Sequence, residues 1–181
     1  MTTWLIDPAH SQVSFSARHM MVTTVRGSFK SLSGTIEFDP ANPAAAQVDV
    51  TIEAASIDTG VADRDNHLRS PDFLDTASFP TITFKSTRVE PQGSDRARIY
   101  GDLTIRGVTR EVVIEAELLG QGKDPFTGST KAGFAGRTTI NREDWGLTWN
   151  IALEAGGVLV SKEIKIELDV QAVEQAVAAA V

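Results

Sequence analysis

The segment that decides the fold is residues 99–118, which read IYGDLTIRGVTREVVIEAEL. Apolar and polar residues alternate on both sides of Arg106-Gly107, as they do in strands that each bury one face. Gly107 can adopt the positive φ that a tight hairpin turn requires. The segment therefore predicts a β-hairpin in which Ile99, Leu103 and Ile114 point to the same apolar side.

The same alternation recurs along most of the chain. Further alternating segments start at Val13, Val48, Phe134 and Ile164, and two less regular ones lie at 27–38 and 82–89. Strands at such short spacing are typical of an antiparallel sheet. A large sheet hides both its apolar face and its edges when it closes on itself. We therefore predict an all-β fold, namely a single antiparallel up-and-down β-barrel of about eight strands.

Residues 63–75 break the β pattern. The residue before a proline avoids helical backbone, whereas proline itself suits the first position of a helix. Ser70-Pro71 therefore predicts the end of one helical turn and the start of a second one. The first turn is predicted to be capped at its start by Asp63. Long ordered connections between strands often act as lids. We predict a short helical segment that covers one barrel mouth and controls ligand exchange more than stability.

Length and composition fit a single domain over residues 1–181, in which residues from about 170 onward form a tail or a short helix. The chain has no cysteine, which excludes disulfides and thiolate ligands. Its net charge of −7 argues against a nucleic-acid partner, because phosphate binding needs clustered Lys and Arg.

Two further features concern membranes and location. No apolar run approaches the roughly 20 residues that span a bilayer, so we expect no stable membrane insertion. The first residues, Met1 to Trp4, contain neither the basic nor the apolar region of a secretory signal. We therefore expect a cytoplasmic protein, and the alternative is that a signal peptide has been removed from this sequence.

Three motifs resemble those of the YceI family, the bacterial lipocalin-like barrels associated with polyisoprenoid and other long-chain lipids. They are WLIDPAHSQVSF at 4–15, NHLRSPDFLD with FPTITF at 66–75 and 79–84, and GDLTIRGVTR at 101–110. They follow one another in the family's order, and the resemblance extends from Trp4 to about Val170. It implies a lipocalin-like barrel around a long-chain isoprenoid, such as a polyprenyl or quinone-type chain.

The inward faces of the predicted strands are apolar and uncharged. Such a tube suits a hydrocarbon chain, because each buried CH₂ contributes about 0.8 kcal/mol. Small residues such as Gly101 and Gly136 are expected to leave volume along the axis. The alternative is that the same residues form a filled core. The predicted ligand-binding residues of the tube are Phe15, Phe38, Phe73, Ile82, Phe84, Ile99, Leu103, Ile114, Phe134 and Trp149.

His10, His67 and Arg69 are the predicted polar contacts for a lipid head group at a barrel mouth. The alternative is a set of local contacts: His10 with Asp7, His67 with a nearby acid, and Arg69 in an ion pair with Asp72 or Asp75. The histidine spacing matches no zinc motif, so we expect no metal. We expect no cofactor other than the bound lipid.

We expect the protein to bind and carry, or sequester, one long-chain isoprenoid lipid without catalysis, either as a monomer or as a homodimer. No serine-hydrolase elbow and no phosphate-binding loop is visible in the sequence. Two alternatives remain. One is a lipid-modifying enzyme that uses His10, His19 or His67 as acid or base. The other is a structural or stress-response module that holds no ligand.

Overall fold

The computed structural model describes residues 1–176, in which eleven strands form one continuous sheet. The α-helix of this part of the chain is α1 (Ala62–Arg69). It is not long and apolar enough to cross a membrane. The strands are β1 (Thr2–Ile6), β2 (Gln12–His19), β3 (Thr23–Phe29), β4 (Leu32–Phe38), β5 (Gln47–Glu53), β6 (Ile57–Asp58), β7 (Thr81–Gln92), β8 (Arg96–Ile105), β9 (Val108–Lys123), β10 (Thr130–Asn141) and β11 (Glu163–Glu174).

The sheet closes on itself because β1 pairs with β4 on one edge and with β11 on the other. We call each strand, or pair of consecutive strands, that runs the length of the barrel a stave. Three staves consist of two short strands each. They are β1 with β2, which are joined by the short helix Pro8–His10, then β3 with β4, and β5 with β6. The barrel thus has eight antiparallel staves that follow the order of the chain. The predicted all-β, up-and-down, lipocalin-like barrel is confirmed.

The two ends of the barrel differ in construction. The connections 39–46, 93–95 and 124–129 lie at one end, which we call the open end because exposed residues surround it. The connections 20–22, 59–80, 106–107 and 142–162 lie at the other end. We call this the covered end, because Phe73, Leu74, Trp145 and Leu147 of its long connections are buried.

The predicted helical segment is present only in part. α1 ends at Arg69, just before Ser70-Pro71, as the proline predicts. Val61, rather than Asp63, occupies the cap position, and its side chain makes no capping hydrogen bond. The predicted second helical turn is wrong, because residues 71–74 form tight turns instead. Asp75 has a φ of 48°, which turns the chain out of a helical course.

The predicted tail or helix from about residue 170 is also wrong over residues 170–174. β11 continues to Glu174 and pairs there with Trp4 of β1. Val170 and Ala172 are buried in this stretch, so the alternating pattern simply continues into the last stave. The rest of the predicted helical turn, including Val177 and Ala180, lies outside the described residues.

Candidate functional site in the barrel lumen

A cavity of about 450 Å³ runs through the barrel. Residues of both ends line it, including Pro40 and Ser94 at the open end and Arg64 and Leu159 at the covered end. Between the ends its wall is formed by the alternating apolar side chains of the staves. The volume lies within the range of about 300–1,000 Å³ that is typical of small-molecule sites. The lumen is therefore the candidate binding site.

The structure places most of the predicted site residues in the wall of this lumen. Their contact with a ligand stays a prediction. The apolar ones in the wall are Phe15, Phe38, Phe73, Ile82, Phe84, Ile99, Leu103, Ile114, Phe134 and Trp149, and His67 joins them.

The glycines inside the barrel do not leave the volume that the sequence suggested. A Cβ at Gly27 would lie 2.5 Å from Cζ of Phe15, and one at Gly101 would collide with the ring of Phe84. A Cβ at Gly136 would lie 3.0 Å from Cγ2 of Ile114. Neighbouring side chains thus fill the space above the glycines. The lumen is the room that remains along the axis after the aromatic rings are accommodated.

His10 lies outside the lumen. It ends the short helix between β1 and β2, and its side chain is 60% exposed. Its Nδ1 is 2.8 Å from Oδ2 of Asp7, and this hydrogen bond lowers the pKa of Asp7. The local contact with Asp7, considered as the alternative, is what the structure shows. The predicted place of His10 at a lumen mouth is therefore corrected.

Arg69 also lies outside the lumen wall. Its Nε donates to the carbonyl of Ala55 at 2.9 Å, and its Nη2 donates to the carbonyl of Ile57 at 2.9 Å. Its Nη1 donates to Oδ1 of Asn66 at 3.1 Å. These bonds tie the end of α1 to the preceding stave. The guanidinium makes no ion pair with Asp72 or Asp75, since it is engaged by two backbone carbonyls and Asn66, and its contact with a lipid head group stays a prediction.

His67 lies at the covered end within an aromatic cluster. Its ring meets Trp149 edge-on at 4.6 Å and Phe73 at 5.1 Å between ring centroids. Its Nε2 is 2.9 Å from Oδ2 of Asp72, which lies in the turn that follows α1. The cluster thus joins α1, its following turn and the 142–162 connection across this end of the lumen.

Arg142 is a buried residue of the lumen wall that was not among the predicted site residues. The residue is 4% exposed, and burial lowers the pKa of its guanidinium. The guanidinium donates to the carbonyls of Leu147 at 2.6 Å, Ser161 at 2.9 Å and Val160 at 3.3 Å. A signal was available, because Arg142 continues the inward-facing positions of β10 in steps of two from Phe134.

Charge is distributed unevenly along the lumen. Arg18, Arg64 and Arg142 line it at the covered end, and no carboxylate lines that end within residues 1–176. Arg64 is held by Thr59, since its Nε donates to Oγ1 at 2.7 Å and its Nη2 donates to the carbonyl oxygen at 2.8 Å. The open end contains carboxylates, for example Glu117. The lumen is therefore apolar in the middle and cationic at its covered end.

A family model for the YceI-like domain matches residues 4–172. The chain belongs to the YceI family. Protein YceI of Escherichia coli O17:K52:H18 is 44% identical over 166 residues, which cover 92% of this chain and 83% of that protein. A UPF0312 protein of Ectopseudomonas mendocina is 40% identical over the same shares. The family resemblance seen in the three sequence motifs is thereby confirmed.

Solved structures of similar proteins have the same fold. The YceI protein of Campylobacter jejuni matches with a TM-score of 0.75 at 33% identity, over 88% of this chain and 90% of that one. BcnA of Burkholderia cenocepacia matches with a TM-score of 0.79 at 26% identity, over 92% and 98%. A polyisoprenoid-binding domain of Saccharophagus degradans matches with a TM-score of 0.71 at 14% identity, over 95% and 98%. At that identity the last likeness shows the fold alone.

Proposed function

We propose that this YceI-family protein binds one long-chain isoprenoid lipid in the barrel lumen and carries or sequesters it without catalysis. The observation that carries the proposal is the continuous cavity of about 450 Å³ with an apolar wall between the two barrel ends. An apolar tube gives no partners to a charged ligand along most of its length, whereas it buries hydrocarbon at every stave.

The shape of the lumen favours a linear ligand. A strand rises about 3.3 Å per residue, so a ten-residue stave such as β8 (Arg96–Ile105) is about 33 Å long before tilt. An eight-stranded barrel is only wide enough for side chains and one small ligand. A chain that runs along the axis contributes about 0.8 kcal/mol for each buried CH₂. Few polar contacts are then needed for tight binding.

An isoprenoid is proposed over other linear lipids because the sequence motifs resemble a family that is associated with polyisoprenoids. Polyprenyl chains, quinone tails and fatty acyl chains would all gain from burial in the same tube. The Saccharophagus degradans domain of the same fold is described as a polyisoprenoid-binding domain. We extend that ligand class to this chain.

Among the histidines only His19 and His67 line the lumen. Lipid turnover that is lost on His19→Ala or His67→Ala would therefore contradict a purely binding role.

Phe134 provides the mutational test of the proposal. It lines the lumen on β10, and its ring meets Phe38 edge-on at 6.4 Å between centroids. Phe134→Glu would place a carboxylate against hydrocarbon at a cost of several kcal/mol, or would force its protonation. We expect Phe134→Glu to purify without lipid and Phe134→Leu to retain it, as measured by mass spectrometry of organic extracts. Equal lipid content in the two folded variants would contradict the lumen as the binding site.

A further inference from the structure

The hairpin of β2 and β3 ends at the covered end in an exposed apolar tip. Met20, Met21 and Val22 are 48%, 60% and 74% exposed. Met20 and Met21 have φ values of 53° and 64°, which turn the chain sharply at this point. Methionines in such backbone are uncommon, since Asn, Asp and Gly are the usual residues there. The turn thus presents large apolar side chains where small polar ones would make the same bend.

A second apolar residue group lies beside this tip. The N–H of Met20 donates to the carbonyl of Leu159 at 2.8 Å, and the N–H of Leu159 donates to the carbonyl of Ile151 at 2.9 Å. Ile151 is itself 51% exposed. The side chain of Met21 lies close to Gly157 of the same connection. We call the exposed residues Met20, Met21, Val22 and Ile151 the apolar rim.

Positive charge accompanies the rim in a protein whose net charge is −7. The hairpin from residue 12 to residue 29 contains Arg18 and Arg26 but no Asp or Glu. The Nη1 of Arg18 donates to the carbonyl of Val22 at 3.2 Å, which holds this cation beside the tip. Glu154 lies in the same 142–162 connection as Ile151, and Asp72 follows α1, so the cations nearest the tip are those of the hairpin itself.

The rim is continuous with the wall of the lumen. Ala17, His19 and Val25 of the same hairpin line the cavity, as does Leu159 of the neighbouring connection. These residues are half-buried, so the exposed tip and this part of the lumen wall belong to the same hairpin. A lipid that leaves the lumen at this point meets the rim first.

We propose that the apolar rim docks onto the surface of an anionic lipid bilayer, with Met21 and Val22 in its interfacial layer and the arginines against its head groups. Apolar side chains next to cations are the composition that binds the boundary between acyl chains and anionic head groups. Docking there joins the lumen to the bilayer, so that a long-chain lipid transfers without exposing its hydrocarbon to water. The role in transfer rests on the proposed function, whereas docking itself is measured separately. The contact is shallow and reversible.

The test is co-sedimentation with vesicles of phosphatidylcholine that contain about one third phosphatidylglycerol, compared with pure phosphatidylcholine. The variant is Met21→Asp with Val22→Asp, since aspartate tolerates the positive φ at residue 21. The control is Phe126→Asp, because Phe126 is 96% exposed but lies at the open end. We expect the double variant to lose binding by about tenfold or more. We expect Arg26→Gln to lose about fivefold, and the control to bind like the wild type.

Several outcomes would overturn the proposal. Wild-type protein that ignores the anionic vesicles, or a double variant that binds them as well as the wild type does, excludes docking through the rim. Loss of binding in the Phe126→Asp control instead moves docking to the open end. Light scattering is used to detect self-association. If the wild type self-associates but binds no vesicles, and only the double variant abolishes this self-association, then the rim is an interface between two copies of the chain. The lipid content of each purified protein is measured in parallel, so that failure of docking and failure of lipid binding are told apart.

Discussion

At the scale of single residues, the barrel interior depends on rings that lie over glycines. The ring of Phe84 on β7 occupies the place where a Cβ of Gly101 on β8 would stand, and the carbonyl of Lys85 is 2.7 Å from that position. The backbone of β7 cannot move away without disturbing its pairing with β8. Gly101 is thus required by close approach, not by a special backbone angle.

We expect Gly101→Ala to lower the free energy of unfolding by about 1–3 kcal/mol, the usual cost of overpacking a core. Gly120→Ala is the matched control, because a Cβ at Gly120 of β9 meets nothing within 4 Å. Both substitutions reduce the freedom of the unfolded chain equally, so the difference between their free energies of unfolding isolates the effect of the collision with Phe84. Urea unfolding measures these free energies. Equal stability of the two variants would show that Phe84 moves aside at no cost.

Sequence reasoning was least reliable for polar residues. The period of two places Phe15, Ile114 and Phe134 in the lumen, because strand geometry fixes the side of each residue. It says nothing about which carbonyls lie near a long side chain. Arg69 and Arg142 are both occupied by backbone carbonyls from distant segments. The three-dimensional path of those segments is needed to see that Arg69 lies outside the wall, whereas the period of two from Phe134 already indicates that Arg142 faces inward.

At the scale of elements, the connection that contains α1 is packed as part of the core. Phe73 is 5% exposed, and its ring contacts His67 and Trp149 and lies 5.7 Å from the guanidinium of Arg142. The sequence correctly suggested an apolar segment over a barrel mouth, since a long connection with an apolar face must pack on something. It could not show how deeply that face is buried. The expectation that this segment controls ligand exchange more than stability therefore does not fit the burial of Phe73.

We expect Phe73→Ala to lower the free energy of unfolding by about 3–5 kcal/mol, the usual cost of removing a buried phenyl ring. It should also speed lipid release from the folded protein, because the ring lines the lumen at the covered end. Thermal unfolding and the rate of lipid transfer to empty vesicles measure the two effects. Phe126→Ala is the exposed control and should change neither. A stable Phe73→Ala variant would mean that the segment is a loosely attached lid.

At the scale of the whole molecule, closure of the barrel follows from period-two alternation along eight staves. The sequence predicted this architecture because turn signals and alternation agree from Val13 to Val170. It did not predict the interruptions that divide three staves into two strands each, such as Pro8–His10 between β1 and β2. Nor did it decide between a filled core and a lumen, since the same apolar residues serve both. That distinction depends on how the rings pack across the axis.

The most direct test is native mass spectrometry of gently purified protein, followed by organic extraction and identification of what is released. A tube with an apolar wall of this length is costly to leave in contact with water. We expect the chain mass plus one long-chain lipid, in a ratio of about one to one, and an extract that contains an isoprenoid. The mass of the bare chain alone, from protein prepared out of lipid-containing cells, would contradict lipid binding in the lumen.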